Sequence, residues 1–157
     1  MNKFGGPDMS FQSRNGTRGA RQPSGPLLRW GNKLMANRIR RKGAKGGKTL
    51  VLTTIGAKSG AERANPVAWF PGDGGSWLIV ASAGGAPKNP AWYYNLAAHP
   101  DQVRIEVGGR TVDVTAEQLQ GAERDKAWQQ ITAAAPGFGR YQEKTDRELP
   151  VIVLTAR

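Results

Sequence analysis

Eight side chains suited to ligand binding crowd into one stretch of this 157-residue chain: Lys58, Ser59, Arg63, Asn65, Ser82, Lys88, Trp92 and Asn95. Gly56-Ala57-Lys58-Ser59-Gly60 is a glycine-flanked turn, and successive N–H groups in such a turn form a concavity for an anion. Ser59 adds a hydroxyl donor there, and Lys58 and Arg63 add charge. The competing reading is a hairpin turn with ordinary solvated cations. Asn65-Pro66-Val67 comes next. An asparagine amide can bond a ring edge bidentately, and proline removes a ladder donor, as at an edge strand or bulge. A plain edge-strand proline explains the same residues. Trp92, Tyr93 and Tyr94 stand beside the glycine-rich run Ala83–Asn89, where aromatic rings could wall a flat ligand or join the core. Phe138 and Tyr141 raise the same question later in the chain. Small residues with basic neighbours suit a ligand that is anionic at one end and flat at the other.

Other chemistries are excluded. With no cysteine there is no disulfide, thiolate metal site or cysteine nucleophile. The single histidine, His99, rules out multi-histidine metal motifs and reads as a surface or capping residue before Pro100. Asp73, Asp101, Asp113, Glu117, Glu123 and Asp125 fall in turns or on charged faces and form no catalytic pair. Gly47-Lys48-Thr49 imitates the end of a phosphate-binding P-loop, but residue 42 is Lys where that motif needs Gly, and a strand follows where a helix should. No run approaches the ~18 apolar residues of a membrane-spanning helix, and no apolar secretory signal opens the chain.

Charge divides the chain. Residues 1–48 hold twelve Lys/Arg against one acid, Asp8, whereas residues 49–157 hold eleven of each sign. The net +11 therefore describes the N-terminal third. Residues 1–25, rich in Gly, Ser, Arg, Asn and Pro, read as a disordered basic tail. Residues 26–46 read as an amphipathic basic helix and linker. Pro26 suits a first helical turn. Leu27, Leu28, Trp30, Leu34, Met35 and Ile39 then share one half of the wheel, with Arg29, Lys33, Asn37 and Arg40 opposite.

Residues 47–157 carry the domain. Strands are expected near 49–55 and 62–70, with turns at 56–61 and 71–75, and a buried strand at 76–82. A helix near 90–98 has Asn89 as N-cap and Pro90 at its first position. Val103, Ile105 and Val107 alternate with polar residues, Gly108–Gly109 is a hairpin signal, and Val112 and Val114 resume the alternation. Helices follow near 121–134 and 137–145, then a buried strand at 151–154. Antiparallel strands with short helices argue an α+β fold built on a small barrel.

Three segments in register, GAKSGAERANPV, ASAGGAPKNPAWYYNLAAHPD and YQEKTDRELPVIVL, resemble the deazaflavin-dependent nitroreductase family, a branch of the coenzyme F420-dependent oxidoreductases. The likeness runs over about residues 27–155. It implies a split β-barrel of the FMN-binding, pyridoxamine-phosphate-oxidase-like kind, with no metal. It implies reduced F420, a 5-deazaflavin with a phospholactyl and polyglutamate tail, as hydride donor to quinones, nitroaromatics or similar electrophiles. By the same resemblance, Ala57, Lys58, Ser59 and Arg63 meet the phosphate and tail. Asn65, Pro66, Val67 and Ala68 lie along the deazaflavin, and Val80, Ala81, Ser82 and Ala83 line its other side. Ala91, Trp92, Tyr93, Tyr94 and Asn95 stand nearby. Phe138 and Tyr141 form the substrate pocket, and Tyr141 and Ser82 are the candidates for acting on the acceptor. Some relatives carry Lys where Ala83 stands, and Lys88 could compensate in part.

Two other readings are weighed beside that one. A related split barrel could bind flavin, F420 or a fatty acid without catalysis. A nucleic-acid role would rest on the basic tail alone, which lacks interleaved aromatics and a binding module, so no nucleic acid is expected. The expected place is the cytoplasm. There the 26–42 helix would either pack on the barrel or lie on an anionic membrane, where a lipid-soluble quinone would be met.

Overall fold

The structure is a computed structural model and describes residues 11–20 and 48–157. The expected 26–46 helix and linker lie outside the described residues. Seven strands form one antiparallel sheet: β1 (Thr49–Ile55), β2 (Glu62–Ala68), β3 (Phe70–Pro71), β4 (Trp77–Val80), β5 (Val103–Val107), β6 (Arg110–Gln118) and β7 (Val151–Ala156). Their spatial order is β2-β1-β5-β6-β7-β4-β3. The helices are α1 (Ala91–Ala98), α2 (Gly121–Ala134) and α3 (Gly137–Lys144).

The two edge strands, β2 and β3, are separated in sequence only by Trp69. The strand expected over 62–70 pairs with β1 as far as Ala68. After Trp69 the chain changes partner, and Phe70 and Pro71 pair with β4. One short stretch thus joins both edges and curls the sheet into the split barrel, the fold expected from the sequence.

Alternation along the strands builds two cores. Leu50, Leu52, Ile79, Val103, Ile105, Val114, Ile152 and Leu154 face the barrel interior, where Trp92, Tyr93 and Leu96 of α1 join them. Leu78, Val80 and Val151 point outward against Ala127 and Ile131 of α2 and Phe138 and Tyr141 of α3. All of β4 is buried because both its faces are covered, which is why it reads as a continuous apolar run. At the β5–β6 hairpin Val107 pairs with Arg110, and Gly108 and Gly109 have φ of 57° and 79°, as a type I′ turn requires.

Two expectations need correction. The N-cap of α1 is Pro90, and it makes no side-chain capping bond. Asn89 is instead buried and engaged elsewhere, as described below. Residues 11–20 fall in the stretch whose composition reads as a tail with little to bury. They run instead as an extended strap against the barrel. Phe11 enters the interior core and meets Tyr93 edge-on at 5.6 Å. The Gln118 side chain accepts from Gln12 N–H (3.1 Å) and donates to its carbonyl (3.0 Å). One phenylalanine and a reciprocal amide pair seat the start of a segment that hydropathy alone reads as solvated.

Gly109→Val would force a β-branched residue into the left-handed region. It is expected to lower stability by about 1–2 kcal/mol, whereas Gly108→Asn stays within about 0.5 kcal/mol. Urea denaturation of the two variants checks this.

Candidate functional site

The chain between β4 and α1, residues 81–90, is shaped around one buried guanidinium. Arg147 is 2% exposed. Its Nε donates to the Ala86 carbonyl (3.1 Å), Nη1 to the Ala81 carbonyl (3.0 Å), and Nη2 to the Ser82 carbonyl (2.9 Å). Nη1 also donates to Asn89 Oδ1. The rigid five-donor fork can satisfy several carbonyls at once. Among the described residues Arg147 forms no ion pair, and burial lowers its pKa from the usual arginine range. The wrapped loop is strained. Ala83 has φ of 47° and is the one described non-glycine residue with positive φ. Gly84 and Gly85 follow at 64° and 86°. Left-handed geometry costs an alanine about 1–2 kcal/mol, so the surrounding bonds must hold it, as is common at functional sites.

The cationic hairpin is tied to the helix that follows this loop, α1. Asn95 accepts from Ala57 N–H (3.0 Å) and donates to Thr54 Oγ1 (3.1 Å). Within the turn, Gly56 N–H bonds Ala61 O, Gly60 N–H bonds Gly56 O, and Ala61 N–H bonds Ser59 Oγ. The concavity for an anion is therefore mostly used by the turn itself. Lys58 and Ser59 keep N–H groups with no acceptor among the described residues, beside the exposed Lys58 and Arg63 side chains. No described residue lies within 4 Å of where a side chain would start on Gly60 or Gly84.

On the other side α3 presses on the loop. A Cβ on Gly85 would lie 2.6 Å from the Tyr141 carbonyl oxygen, so only glycine allows this approach. The Tyr141 ring meets Phe138 edge-on at 5.7 Å, and the Lys144 ammonium sits 5.7 Å from its centroid. Phe138 and Tyr141 are half-buried, as are Ser82 and Ala83.

The expected site residues divide accordingly. Lys58, Ser59, Arg63, Ala68 and Ala91 are exposed, and Asn65, Pro66 and Val67 are half-buried on the edge strand β2. Val80, Ala81, Trp92 and Tyr93 have core side chains. Ala81 also spends its N–H on Pro150 O and its carbonyl on Arg147. Tyr93 donates to Gln118 Oε1 at 2.6 Å, and burial raises its pKa well above the tyrosine range. Asn95 is buried with its amide engaged, so it positions the hairpin. Tyr94 is 43% exposed and approaches Asn15 of the strap. Sequence reasoning missed Arg147 and Asp146. A charged residue outside any periodic element gives no sign of burial, and only the density of carbonyls in the loop could have suggested a buried donor.

Among the described residues no cluster of His, Cys, Asp or Glu could hold a metal. At the hairpin, two cations stand beside two amides with no acceptor among the described residues, groups suited to an anion.

A family model described as F420H(2)-dependent quinone reductase matches residues 33–156. An F420H(2)-dependent quinone reductase of Mycobacterium tuberculosis (strain ATCC 25618 / H37Rv) is 43% identical over 112 residues, which is 69% of this chain and 74% of the relative. The solved F420-H2 dependent reductase FDR-A superposes with a TM-score of 0.62 at 39% identity, covering 69% of this chain and 94% of that one. A Listeria innocua protein named for pyridoxamine 5′-phosphate oxidase gives a TM-score of 0.50 at 12% identity over 78% of this chain and 94% of its own, a likeness of fold alone.

Arg147→Lys keeps the charge but loses the fork. With two or more charge-assisted bonds unmade in a buried site, stability is expected to fall by roughly 3 kcal/mol or more, measured by chemical denaturation.

Proposed function

The chain belongs to the F420H(2)-dependent quinone reductase family, and on that footing we propose that it reduces a quinone, with nitroaromatics as further acceptors. Reduced F420 supplies the hydride, from C5 of the deazaflavin. The observation that carries the reading is the joining of two sequence motifs by α1. Asn95 anchors the cationic 56–63 hairpin, while the same helix follows directly on the Arg147-braced loop.

Lys58, Arg63 and the unspent N–H groups of Lys58 and Ser59 hold the phosphate and glutamate tail. Asn65, Pro66 and Val67 on β2 and the backbone of Ser82–Ala83 border the ring. The acceptor gains negative charge on oxygen as hydride arrives. A Ser82 or Tyr141 hydroxyl then donates a hydrogen bond to that oxygen and supplies or relays the proton. Phe138 shapes the acceptor pocket beside Tyr141. Such a site needs neither a histidine dyad nor a metal, because the coenzyme carries the difficult chemistry.

The basic segment of residues 26–42, expected from its sequence to be an amphipathic helix, gives a second element to the proposal: contact with an anionic membrane at its cytoplasmic face. Among the described residues no helix is long and apolar enough to cross a membrane. Co-sedimentation of the full chain with anionic liposomes at low salt is expected, and a chain that stays in the supernatant removes this element.

Turnover of reduced F420 with menadione, followed by the absorbance of oxidised coenzyme, tests the main reading. Absence of binding at micromolar coenzyme, or binding without turnover on any quinone, would overturn it. Lys58→Ala and Arg63→Ala are each expected to weaken coenzyme binding by roughly 1.5–3 kcal/mol with turnover at saturation less affected. Tyr141→Phe is expected to lower kcat about tenfold or more and leave coenzyme affinity unchanged. Wild-type kcat across several quinones would shift the role to Ser82.

A further inference from the structure

Residues 11–20 lie outside the span matched by the family model, which begins at residue 33, yet three of their hydrogen bonds are to the proposed coenzyme loop. Gly16 N–H donates to the Pro87 carbonyl (2.7 Å) and Ala20 N–H to the Gly85 carbonyl (3.0 Å). Asn89 Nδ2 donates to Ser13 Oγ at 3.0 Å, while Asn89 Oδ1 accepts from Arg147. Tyr94, at the start of α1, reaches Asn15. The loop is thus gripped by Arg147 from one side and the strap from the other.

A latch fixes the strap in register. Asp146 accepts from Thr17 Oγ1 (2.5 Å), Thr17 N–H (2.7 Å) and Arg18 N–H (3.3 Å). These bonds, the Thr17 hydroxyl first, hold its carboxyl at a pKa of about 2. Arg18 Nη1 donates to the Glu143 carbonyl at the end of α3 (2.9 Å). Asp146 precedes Arg147 in the chain, so the residue that anchors the strap adjoins the residue that anchors the loop. Two glycines permit the close approach. A Cβ on Gly16 would fall 2.6 Å from Asp146 Oδ1, and one on Gly19 would fall 2.4 Å from the Gly85 carbonyl oxygen.

We infer that residues 11–20 are a positioning strap for the coenzyme loop, which holds Ser82–Gly85 in its strained conformation and slows release of the bound coenzyme. The inference rests on the reading of that loop as the coenzyme site. A loop held only by Arg147 relaxes when its outer carbonyls lose their partners. The left-handed Ala83 then has an easier conformation to adopt, and the ring loses a preformed wall. Preorganisation of this kind acts on affinity for the ligand that touches the loop. The acceptor, which meets the coenzyme and α3, is affected less.

The test uses the full chain. Gly19→Ala drives a methyl group into Gly85 and lifts the strap at one point, without touching the barrel core. Thr17→Val removes the latch hydroxyl at an exposed position. The KM for reduced F420 and the rate of F420 dissociation should each rise about five- to tenfold in Gly19→Ala and about threefold in Thr17→Val, as for one or two lost hydrogen bonds. The KM for menadione and kcat should stay within about twofold. Coenzyme constants equal to wild type, with hydrogen exchange showing the Gly16 and Ala20 amides released, would overturn the proposal. So would a uniform loss in every parameter together with a lower melting temperature, which marks a merely structural role. A wild-type chain that fails to bind reduced F420 is a separate outcome: the functional reading fails there, and the strap proposal with it.

Discussion

A guanidinium taken out of water must find acceptors for five N–H donors and bear the loss of its hydration. Without them the cost is several kcal/mol. Arg147 places four of the five on neutral oxygens drawn from one loop: the carbonyls of Ala81, Ser82 and Ala86 and the amide of Asn89. Each bond dictates where a carbonyl points. The loop therefore cannot choose its path independently, and the left-handed turn at Ala83–Gly85 is the conformation that leaves these oxygens converging. Arg147 is in effect a template, and the positions of Ser82, α1 and the 56–61 hairpin follow from it.

The second buried arginine shows the contrast. Arg124 bonds the Leu149 carbonyl at 2.9 Å, lies 4.7 Å over the Trp128 ring and keeps an Nε without a hydrogen-bond partner. Glu148 stands 3.9 Å away from that Nε. It ties α2 to the chain entering β7, a structural task met with fewer acceptors. The two arginines bracket the segment Asp146–Pro150, which has no regular structure of its own and is ordered by its side chains.

Most of the fold was legible because periodicity reports burial. The alternation in Val103–Val107, the apolar run Trp77–Val80 and the helix Gly121–Ala134 match the expected elements closely. The partner change at Trp69 was not legible, since nothing local marks the point where a strand leaves one sheet edge for the other. The site was legible by motif but not by role. Glycines and cations pointed to the hairpin and the loop, yet Trp92 and Tyr93 are core, Asn89 bonds the Arg147 and Ser13 side chains and Asn95 holds the Ala57 backbone. A polar or aromatic residue beside a glycine-rich loop serves ligand or scaffold with the same letters. Only its neighbours in space, here Arg147, Gln118 and Thr54, decide between them.

β7 lies between β6 and β4 in the middle of the sheet, although it is the last strand along the chain. β4 pairs with it along its whole length, from Trp77↔Leu154 to Val80↔Val151, and on its other edge only with the two-residue β3. During vectorial synthesis, then, β4 has only the two-residue β3 as a strand partner until residues near 154 leave the ribosome. Long-range pairing of this kind is slow and exposes unpaired strand edges meanwhile. The nascent chain therefore carries an apolar strand with one open edge from the synthesis of residues 77–80 until that of residues 151–154.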